Sequence, residues 1–237
     1  MPMAESYEAI LLAAGSARRF EHPDKLNKIL MPLGDRFVFD YSFRLFNEDK
    51  RCEKIWFVVS EVNIRRIKQL IEKLYVAIPE KIEWVIGGQE RQDSVSRALA
   101  ELTCGSHRKV MIHDAARPFV TKELVDDLIQ AGQRAAAVTL GIPARDSMKI
   151  VRNSEVRCSL YRSEVWHIQT PQLFDCEVLK MAMKQAEQEG FYGNEEAELV
   201  ERAGFPVKVI QGSDENFKLT TAFDYQVARM LKETDAY

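Results

Sequence analysis

Short apolar runs alternate with amphipathic stretches along the first 140 residues of this 237-residue chain. The stretch 64–74, for example, has apolar residues at 64, 67, 70, 71 and 74, which is the spacing of an amphipathic helix. The runs with strand character are 9–13, 55–59, 82–86, 110–112 and 135–140. Strands that alternate with helices favour a mostly parallel sheet with helices on both faces. The pattern therefore predicts a Rossmann-like α/β fold.

The loops that follow the predicted strands hold most of the unusual chemistry in the first half of the chain. They are the segments 14–23, 87–93 and 114–118. In a parallel sheet joined by right-handed crossovers, such loops lie along one edge, and ligands bind at that edge. We therefore expect a functional site where these three loops meet.

The alternation of strands and helices stops between about 141 and 174. In this region two short β-rich stretches, 148–152 and 156–161, face each other across a turn. This pattern predicts a β-arm that projects from the sheet. Helices follow at 178–189 and 196–203, then a strand at 207–210 and a helix that begins after Thr221, with Asp224 completing an approximate capping box. With no repeat or linker, we expect a single domain over 1–237.

Composition narrows the classes of function. The net charge is −3, so no basic field favours a nucleic-acid partner, and phosphate recognition has to be local. Four cysteines and four histidines are scattered, which makes a zinc site or a disulfide framework unexpected and favours a reducing compartment. The N-terminus lacks a signal-peptide pattern, and no run of about 18 apolar residues predicts a membrane span. We expect a cytoplasmic protein.

The first of these loops lies in the segment 10–20, ILLAAGSARRF, where a strand ends in small residues followed by Arg18 and Arg19. Small side chains let backbone N–H groups approach an anion, and guanidinium groups add charge and hydrogen bonds to phosphate. The segment matches neither G-x-G-x-x-G nor G-x-x-x-x-G-K-[ST], which disfavours a dehydrogenase or a P-loop enzyme. The alternative is an ordinary turn with two solvated arginines.

The second and third loops add polar groups. In 87–94 a glycine pair permits a tight turn, and Ser94 could contact a base or sugar, or else cap the following helix. In 113–118, HDAARP, the carboxylate of Asp114 could help to hold Mg²⁺ together with substrate phosphates, and Arg117 could reach a phosphate. The alternative for this segment is an ion pair that closes a turn.

Two later segments carry charge as well. Residues 143–149 lie at one end of the predicted arm, with Arg162 and 170–172 at its other end, and a solvated hairpin is the alternative. The segment 212–220 places Lys218, a mobile charge suited to phosphate, after the last strand. An ordinary surface loop is the alternative there.

Together, the segments 12–19, 28–33, 87–94, 113–118, 145–149, 166–172 and 216–220 resemble the 2-C-methyl-D-erythritol 4-phosphate cytidylyltransferases of the non-mevalonate isoprenoid pathway. The resemblance covers nearly the whole chain in the family's order. It implies transfer of CMP from CTP to a polyol phosphate, with release of pyrophosphate and with Mg²⁺ as cofactor. It also implies a homodimer built through the β-arm.

The resemblance assigns roles by position. It implies that the catalytic cations are Arg19, Lys28 and Lys218. The nucleotide-binding residues would be Ala13, Ala14, Gly15, Ala17, Gly88, Ser94 and Ala115. The acceptor would contact Asp114, which also serves the metal, together with Arg117, Ser147, Arg162 and Thr170, the last two from the partner subunit.

The chain departs from the family pattern at several positions. Ala17 replaces a second glycine, Ser147 replaces a threonine but keeps the hydroxyl, and Lys25 competes with Lys28 as the triphosphate lysine. Two other functions remain open at this point. One is a ribitol 5-phosphate cytidylyltransferase, and the other is a non-catalytic nucleotide-binding regulator.

Overall fold

The computed structural model describes residues 6–15, 20, 27–104 and 108–233. Its strands are β1 (Tyr7–Ala13), β2 (Pro32–Leu33), β3 (Arg36–Phe37), β4 (Cys52–Val59), β5 (Ile82–Ile86), β6 (Lys109–Asp114), β7 (Ala137–Pro143), β8 (Lys149–Arg152), β9 (Glu155–Ser159), β10 (Trp166–Asp175) and β11 (Lys208–Gln211). Its α-helices are α1 (Val38–Glu48), α2 (Glu61–Tyr75), α3 (Arg91–Glu101), α4 (Lys122–Gly132), α5 (Cys176–Glu189), α6 (Glu196–Arg202) and α7 (Ala222–Glu233). Short 3₁₀ helices cover Lys28–Leu30 and Arg162–Glu164.

Seven strands form the central sheet in the order β11-β7-β10-β6-β1-β4-β5. β10 runs antiparallel to both of its neighbours, and the other paired strands run parallel. The chain adds strands on one side of β1 and then crosses to the other side at β6, which creates a topological switch point between these two strands. Ligands bind outside the carboxyl ends of strands at such a point. The predicted mostly parallel α/β fold is confirmed.

The side chains of β1 alternate between two hydrophobic clusters. Leu11 faces a cluster with Phe39 of α1, Ile67 of α2 and Leu128 of α4. Ile10 faces a second cluster with residues of α3, α5 and α6, namely Val95, Leu179 and Leu199. The period of two along a strand produces this division, so helices cover both faces of the sheet.

The strand β10 is the largest difference from the sequence-based expectation. The sequence pattern puts residues 166–174 in the arm, whereas the structure places them between β6 and β7 in the middle of the sheet. Gln169, Thr170 and Gln172 are buried polar residues, and Thr170-Pro171 is a cis peptide bond. The three buried polar side chains hide the apolar pattern of a central strand. The hairpin that stands apart from the sheet consists of β8 and β9, which pair only with each other among the described strands.

The start of α7 agrees with the sequence-based prediction, whereas the start of α3 does not. α7 has the predicted capping box, because Asp224 accepts from the Thr221 backbone N–H at 2.7 Å and donates its own backbone N–H to the Thr221 hydroxyl. α3 begins at Arg91, three residues before the predicted start at Ser94. Its N-cap is Glu90, which exchanges hydrogen bonds with Asp93. Ser94 is therefore not the cap.

The sequence predicts no disulfide framework, but the structure contains a disulfide that the sequence did not indicate. Cys104 and Cys176 form a disulfide, with their Cα atoms 5.6 Å apart. Seventy-two residues separate them along the chain, so the sequence spacing gives no signal, and the fold brings the end of α3 beside the start of α5. Cys52 and Cys158 are free thiols.

None of the helices in the described part of the chain is long and apolar enough to cross a membrane.

Candidate active site

A cavity of about 480 Å³ opens at the switch point, beyond the carboxyl end of β1. Five of the predicted nucleotide-binding residues line it: Ala13, Ala14, Gly15, Gly88 and Ser94. Ala115 does not line it; it is buried beside it and donates its backbone N–H to the carbonyl of Leu12. The fold thus brings the loops after β1 and β5 to the same cavity, as parallel strands require.

Two glycines allow these loops to approach closely. A Cβ atom at Gly87 would collide with the Cβ of Ala14, and one at Gly88 would collide with the Cβ of Asp93. At Gly15, in contrast, a Cβ would meet no atom within 4 Å among the described residues. The glycine pair is therefore needed for the packing of the second loop against the first and against the start of α3.

Ser94 is buried below the second loop, which it stabilises. Its hydroxyl accepts from the Gly88 backbone N–H at 3.0 Å and donates to the Glu90 carbonyl at 3.1 Å. A hydroxyl has one donor and two acceptor positions, so Ser94 keeps one acceptor position for a ligand. The residue therefore shapes the loop and can still accept a hydrogen bond from a base amino group.

Lys28 lines the same cavity from the 3₁₀ helix Lys28–Leu30. Asn27 caps that helix through its side-chain oxygen, and its side-chain nitrogen donates to the Gly15 carbonyl at 2.8 Å. One asparagine therefore ties the lysine-bearing segment to the first loop. The predicted residues Ala17 and Arg19, and the competing Lys25, lie outside the described residues.

A second cavity of about 540 Å³ adjoins the first. Arg117 and Thr170, which the resemblance assigns to the acceptor, line it together with other polar residues of β10 and of the start of α6. Thr170 lies in the cavity of its own chain, which differs from the expectation that it reaches the site of a partner subunit. Three residues line both cavities: Arg91, Asp114 and Lys218. The site therefore consists of two compartments that meet at a cluster of charged side chains.

Asp114 is the centre of that cluster. Its Oδ2 accepts from Lys218 Nζ at 2.8 Å, and its Oδ1 accepts from Arg91 Nε at 3.3 Å. Burial alone would raise the pKa of Asp114, but Lys218, Arg91 and Arg117 outweigh burial and hold this pKa well below its usual range. The carboxylate is therefore ionised at neutral pH and orients the cations around it.

Thr170 and His113 hold the Asp114 backbone in place through a chain of hydrogen bonds. The Asp114 backbone N–H donates to the Thr170 hydroxyl at 3.1 Å, and that hydroxyl also contacts His113 Nδ1 at 3.1 Å. His113 Nε2 lies 3.1 Å from the Arg117 carbonyl. Burial lowers the pKa of His113 to about 4, with Asp114 opposing the shift. The imidazole is therefore neutral at pH 7 and has a structural role.

Arg117 is held at the edge of the second cavity by the loop after β11. Its Nη1 donates to the Asn216 carbonyl at 2.7 Å, and the Asn216 side chain donates to the Thr170 carbonyl at 2.9 Å. Arg117 Nε is buried and has no hydrogen-bond partner within the described ranges. A buried cationic donor of this kind is suited to an anionic ligand.

The two predicted residues of the arm lie apart from this cluster. Ser147 and Arg162 are exposed, and neither lines the two cavities of its own chain. Arg162 donates to the carbonyl of Arg145, which itself pairs with Asp214 in the loop after β11. The structure therefore brings together the predicted sheet-edge residues but not the arm residues.

Sequence reasoning missed Arg91 and Glu196. Arg91 Nη1 donates to both oxygens of the Glu196 carboxylate, at 2.6 and 2.7 Å. Burial alone would lower the pKa of Arg91, but Glu196 and Asp114 outweigh burial and raise it. Arg91 follows the glycine pair in a loop that the sequence places at the ligand-binding edge of the sheet. Its position therefore offers a reason to include it among the candidate site residues. Glu196 lies 105 residues further along the chain, and no local pattern indicates this contact.

Two cavities that meet at a cation cluster, at the switch point of a mostly parallel sheet, are typical of α/β enzymes that bind phosphorylated ligands. A family model described as 2-C-methyl-D-erythritol 4-phosphate cytidylyltransferase matches residues 7–233. The chain therefore belongs to this family, whose members are nucleotidyltransferases that use CTP.

Individual relatives agree with the family match. The chain is 33% identical over 230 residues to the 2-C-methyl-D-erythritol 4-phosphate cytidylyltransferase of Bacillus licheniformis, covering 97% of each protein. It is 39% identical over 223 residues to the one from Dictyoglomus thermophilum, covering 93% of this chain and 94% of the relative. The crystal structure of 4-diphosphocytidyl-2C-methyl-D-erythritol synthase from Anaerococcus prevotii has a TM-score of 0.83 at 27% identity, covering 97% of each chain.

Proposed function

We propose that this chain, as one catalytic domain with a β-arm, transfers CMP from CTP to 2-C-methyl-D-erythritol 4-phosphate and releases pyrophosphate. The observation that carries the proposal is the pair of cavities that meet at Asp114 and Lys218. The first cavity would hold CTP and the second the acceptor. The attacking phosphate and the attacked α-phosphorus would then meet beside the cation cluster.

A phosphate monoester is already a nucleophile at neutral pH, so the reaction needs no general base. The enzyme has to overcome repulsion between two anions and stabilise the charge that develops on the attacked phosphoryl group. Lys28 from the first cavity and Lys218 from the junction of both cavities are placed to do this. Arg19 would contribute a third cation. Positioning and electrostatics therefore supply most of the catalysis.

Selection of cytosine would come from the loop that contains Gly88 and Ser94. The remaining acceptor position of the Ser94 hydroxyl suits the exocyclic amino group of cytosine, which is a donor. Uracil presents a carbonyl at that position, and two acceptors would face each other. We therefore expect CTP to be preferred over UTP.

Magnesium is compatible with this site. The described residues contain no group of three or more His, Cys, Asp or Glu side chains that could hold a metal ion by itself. Mg²⁺ usually takes one or two carboxylates, and phosphate and water oxygens complete its shell. Asp114 is an ionised carboxylate that lines the CTP cavity and would be its protein ligand. When bound, the ion would neutralise triphosphate charge.

The acceptor phosphate would contact Arg117 and Thr170 in the second cavity of the same chain, and the arm would add Arg162 across a homodimer interface. Ser147 lines neither cavity of its own chain, so we propose that it too acts across that interface rather than within its own chain.

An apolar surface on β8 and β9 supports such a homodimer. Val151 is 54% exposed and Val156 is 61% exposed, although β-branched side chains are usually buried. We propose that a second copy of the chain covers this surface. CTP as substrate favours the cytoplasm for this dimer, whereas the Cys104–Cys176 disulfide removes the cysteine-based argument for a reducing compartment.

The test is pyrophosphate release with CTP and Mg²⁺, using methylerythritol 4-phosphate and ribitol 5-phosphate in parallel. Preference for the first acceptor supports the proposal, and preference for the second would assign the chain to the ribitol phosphate reaction. Release with neither acceptor would contradict catalysis and favour a nucleotide-binding regulator. Adding a chelator in excess of Mg²⁺ should stop turnover, and turnover that survives chelation would contradict the metal requirement.

A further inference from the structure

We propose that Glu196 is a positioning residue for this reaction: it holds Arg91 at the junction of the two cavities, where Arg91 and Lys218 fix Asp114. The inference rests on the proposed function. Glu196 itself is buried, 1% exposed, and lines neither cavity. Its effect on the reaction would therefore pass through Arg91.

The contacts form a continuous path. The Glu196 carboxylate accepts from Arg91 Nη1 through both oxygens, at 2.6 and 2.7 Å, and Arg91 Nε donates to Asp114 Oδ1 at 3.3 Å. Lys218 Nζ donates to the other oxygen of Asp114. Each carboxylate oxygen of Asp114 is thus held by a different cation. Rotation of Arg91 would change the position of Asp114 and, with it, that of Lys218.

The two helix starts that carry this pair are fixed to each other. The Gln92 side chain donates to the Phe191 carbonyl and accepts from the Gly193 backbone N–H, both at 3.0 Å. The Tyr192 hydroxyl donates to Asp93 at 3.1 Å. The first turn of α3 is therefore bound to the segment before α6. Arg91 and Glu196 meet from rigid supports, which is how a positioning contact keeps its geometry.

One donor of Arg91 remains for a substrate. Its Nη2 is buried and has no hydrogen-bond partner in the part of the chain that the structure describes, while the residue lines both cavities. A buried cationic N–H group without a partner costs free energy, so a ligand oxygen that accepts from it would be stabilised. Because Arg91 lines both cavities, we expect this donor to serve a phosphoryl oxygen of a bound substrate and Glu196 to orient it.

The test is steady-state kinetics of Glu196→Gln, which removes the charge but keeps the shape. We expect kcat to fall about tenfold to hundredfold, because small misplacements of catalytic groups have effects of this size. KM for CTP should change less than twofold, since the loops that line the first cavity are intact. Glu196→Asp keeps the charge and should recover part of the lost kcat.

A matched control exists at the other end of α6. Glu189 pairs with Arg202 at 2.6 Å and also joins α5 to α6, but neither residue lines the cavities. Glu189→Gln should leave kcat unchanged. Because Glu196 acts through Arg91, the double variant Arg91→Lys/Glu196→Gln should be no slower than Arg91→Lys alone.

The outcomes separate this inference from the proposed function. A Glu196→Gln enzyme that is folded by circular dichroism and has wild-type kcat would overturn the inference alone. Additive losses in the double variant would also overturn it. If Glu196→Gln does not fold, a folded Arg91→Lys enzyme with wild-type kcat and wild-type KM values would do the same, because Glu196 acts only through the Arg91 guanidinium. Absence of turnover in the wild type would instead overturn the proposed function, and this inference with it.

Discussion

The sheet edge and the β-arm position their polar residues in opposite ways. At the sheet edge, His113, Asp114 and Thr170 are buried and hydrogen-bonded to one another. In the arm, β8 and β9 are exposed along their whole lengths. The chain therefore organises the sheet-edge cluster by itself, whereas the arm residues Ser147 and Arg162 have no comparable support.

The two halves of the site therefore depend on different kinds of contact: the sheet edge on hydrogen bonds within one chain, and the arm, in the proposed dimer, on a partner subunit. The sheet-edge cluster should tolerate loss of a partner subunit, because its hydrogen bonds lie within one chain. The arm should contribute only when its exposed apolar face is covered. Variants of the sheet edge should therefore lose activity within one subunit, whereas variants of the arm should affect the site of a partner subunit.

The largest effect should come from Lys218→Ala at the sheet edge. Removing this cation should lower kcat about 10²- to 10³-fold, by analogy with the loss of one oxyanion-hole donor. The fold should persist, because Arg91 still pairs with Asp114. Pyrophosphate release measures the loss, and a thermal melt checks the fold.

Lys122→Ala is the matched control for this prediction. Lys122 also pairs with an aspartate, Asp126 at 2.6 Å, but on the exposed surface of α4. That variant should have wild-type turnover. Wild-type turnover by Lys218→Ala itself would remove Lys218 from the catalytic group.

The second prediction concerns the stability of the sheet edge against pH. The pKa of His113 is lowered to about 4 in the folded protein, against about 6.5 when unfolded. Between these values the unfolded state binds the extra proton, so stability falls as pH decreases from 6.5 towards 4. The free energy of unfolding should be about 2 kcal/mol lower at pH 5 than at pH 7.5, as measured by urea denaturation.

Two variants check the assignment to His113. In His113→Gln this pH dependence should disappear between pH 6.5 and 5, although the variant is less stable throughout. In His167→Gln, at an exposed position in β10, the dependence should remain. A wild-type profile in His113→Gln would show that another group is responsible.

The third prediction tests whether the arm completes the site of a partner. Arg162→Ala alone should lower kcat/KM for the acceptor about tenfold, the size expected for one charge-assisted hydrogen bond. Mixed with Lys218→Ala under conditions of subunit exchange, it should form heterodimers with one intact site. About a quarter of wild-type activity should return, since half of the dimers are mixed and each has one working site. No recovery after proven exchange would contradict shared sites.

The sequence predicted the parts of this molecule that depend on local patterns. Strand and helix alternation predicts the sheet, and Thr221 with Asp224 predicts the start of α7. β10 was not predicted, because its buried Gln169 and Gln172 are satisfied only by distant partners. For the same reason the disulfide and the contact between Arg91 and Glu196 have no local signal. Long-range polar contacts form only when the fold brings distant segments together, and no local pattern in a single sequence marks them.

The smallest effect should come from Ser147→Ala, at the base of the arm. The loss of one neutral hydroxyl donor to a phosphate corresponds to about 1 kcal/mol, which raises KM for the acceptor about fivefold. KM for CTP should not change, because the proposal places the Ser147 hydroxyl at the acceptor and not at the nucleotide. Ser147→Thr should keep wild-type values, since it retains the hydroxyl.

Ser159→Ala is the control: it removes the hydroxyl that accepts from Lys149 in the arm and should have no effect on KM. Equal changes in both arm variants would indicate that the arm hairpin, rather than the Ser147 hydroxyl, determines acceptor binding.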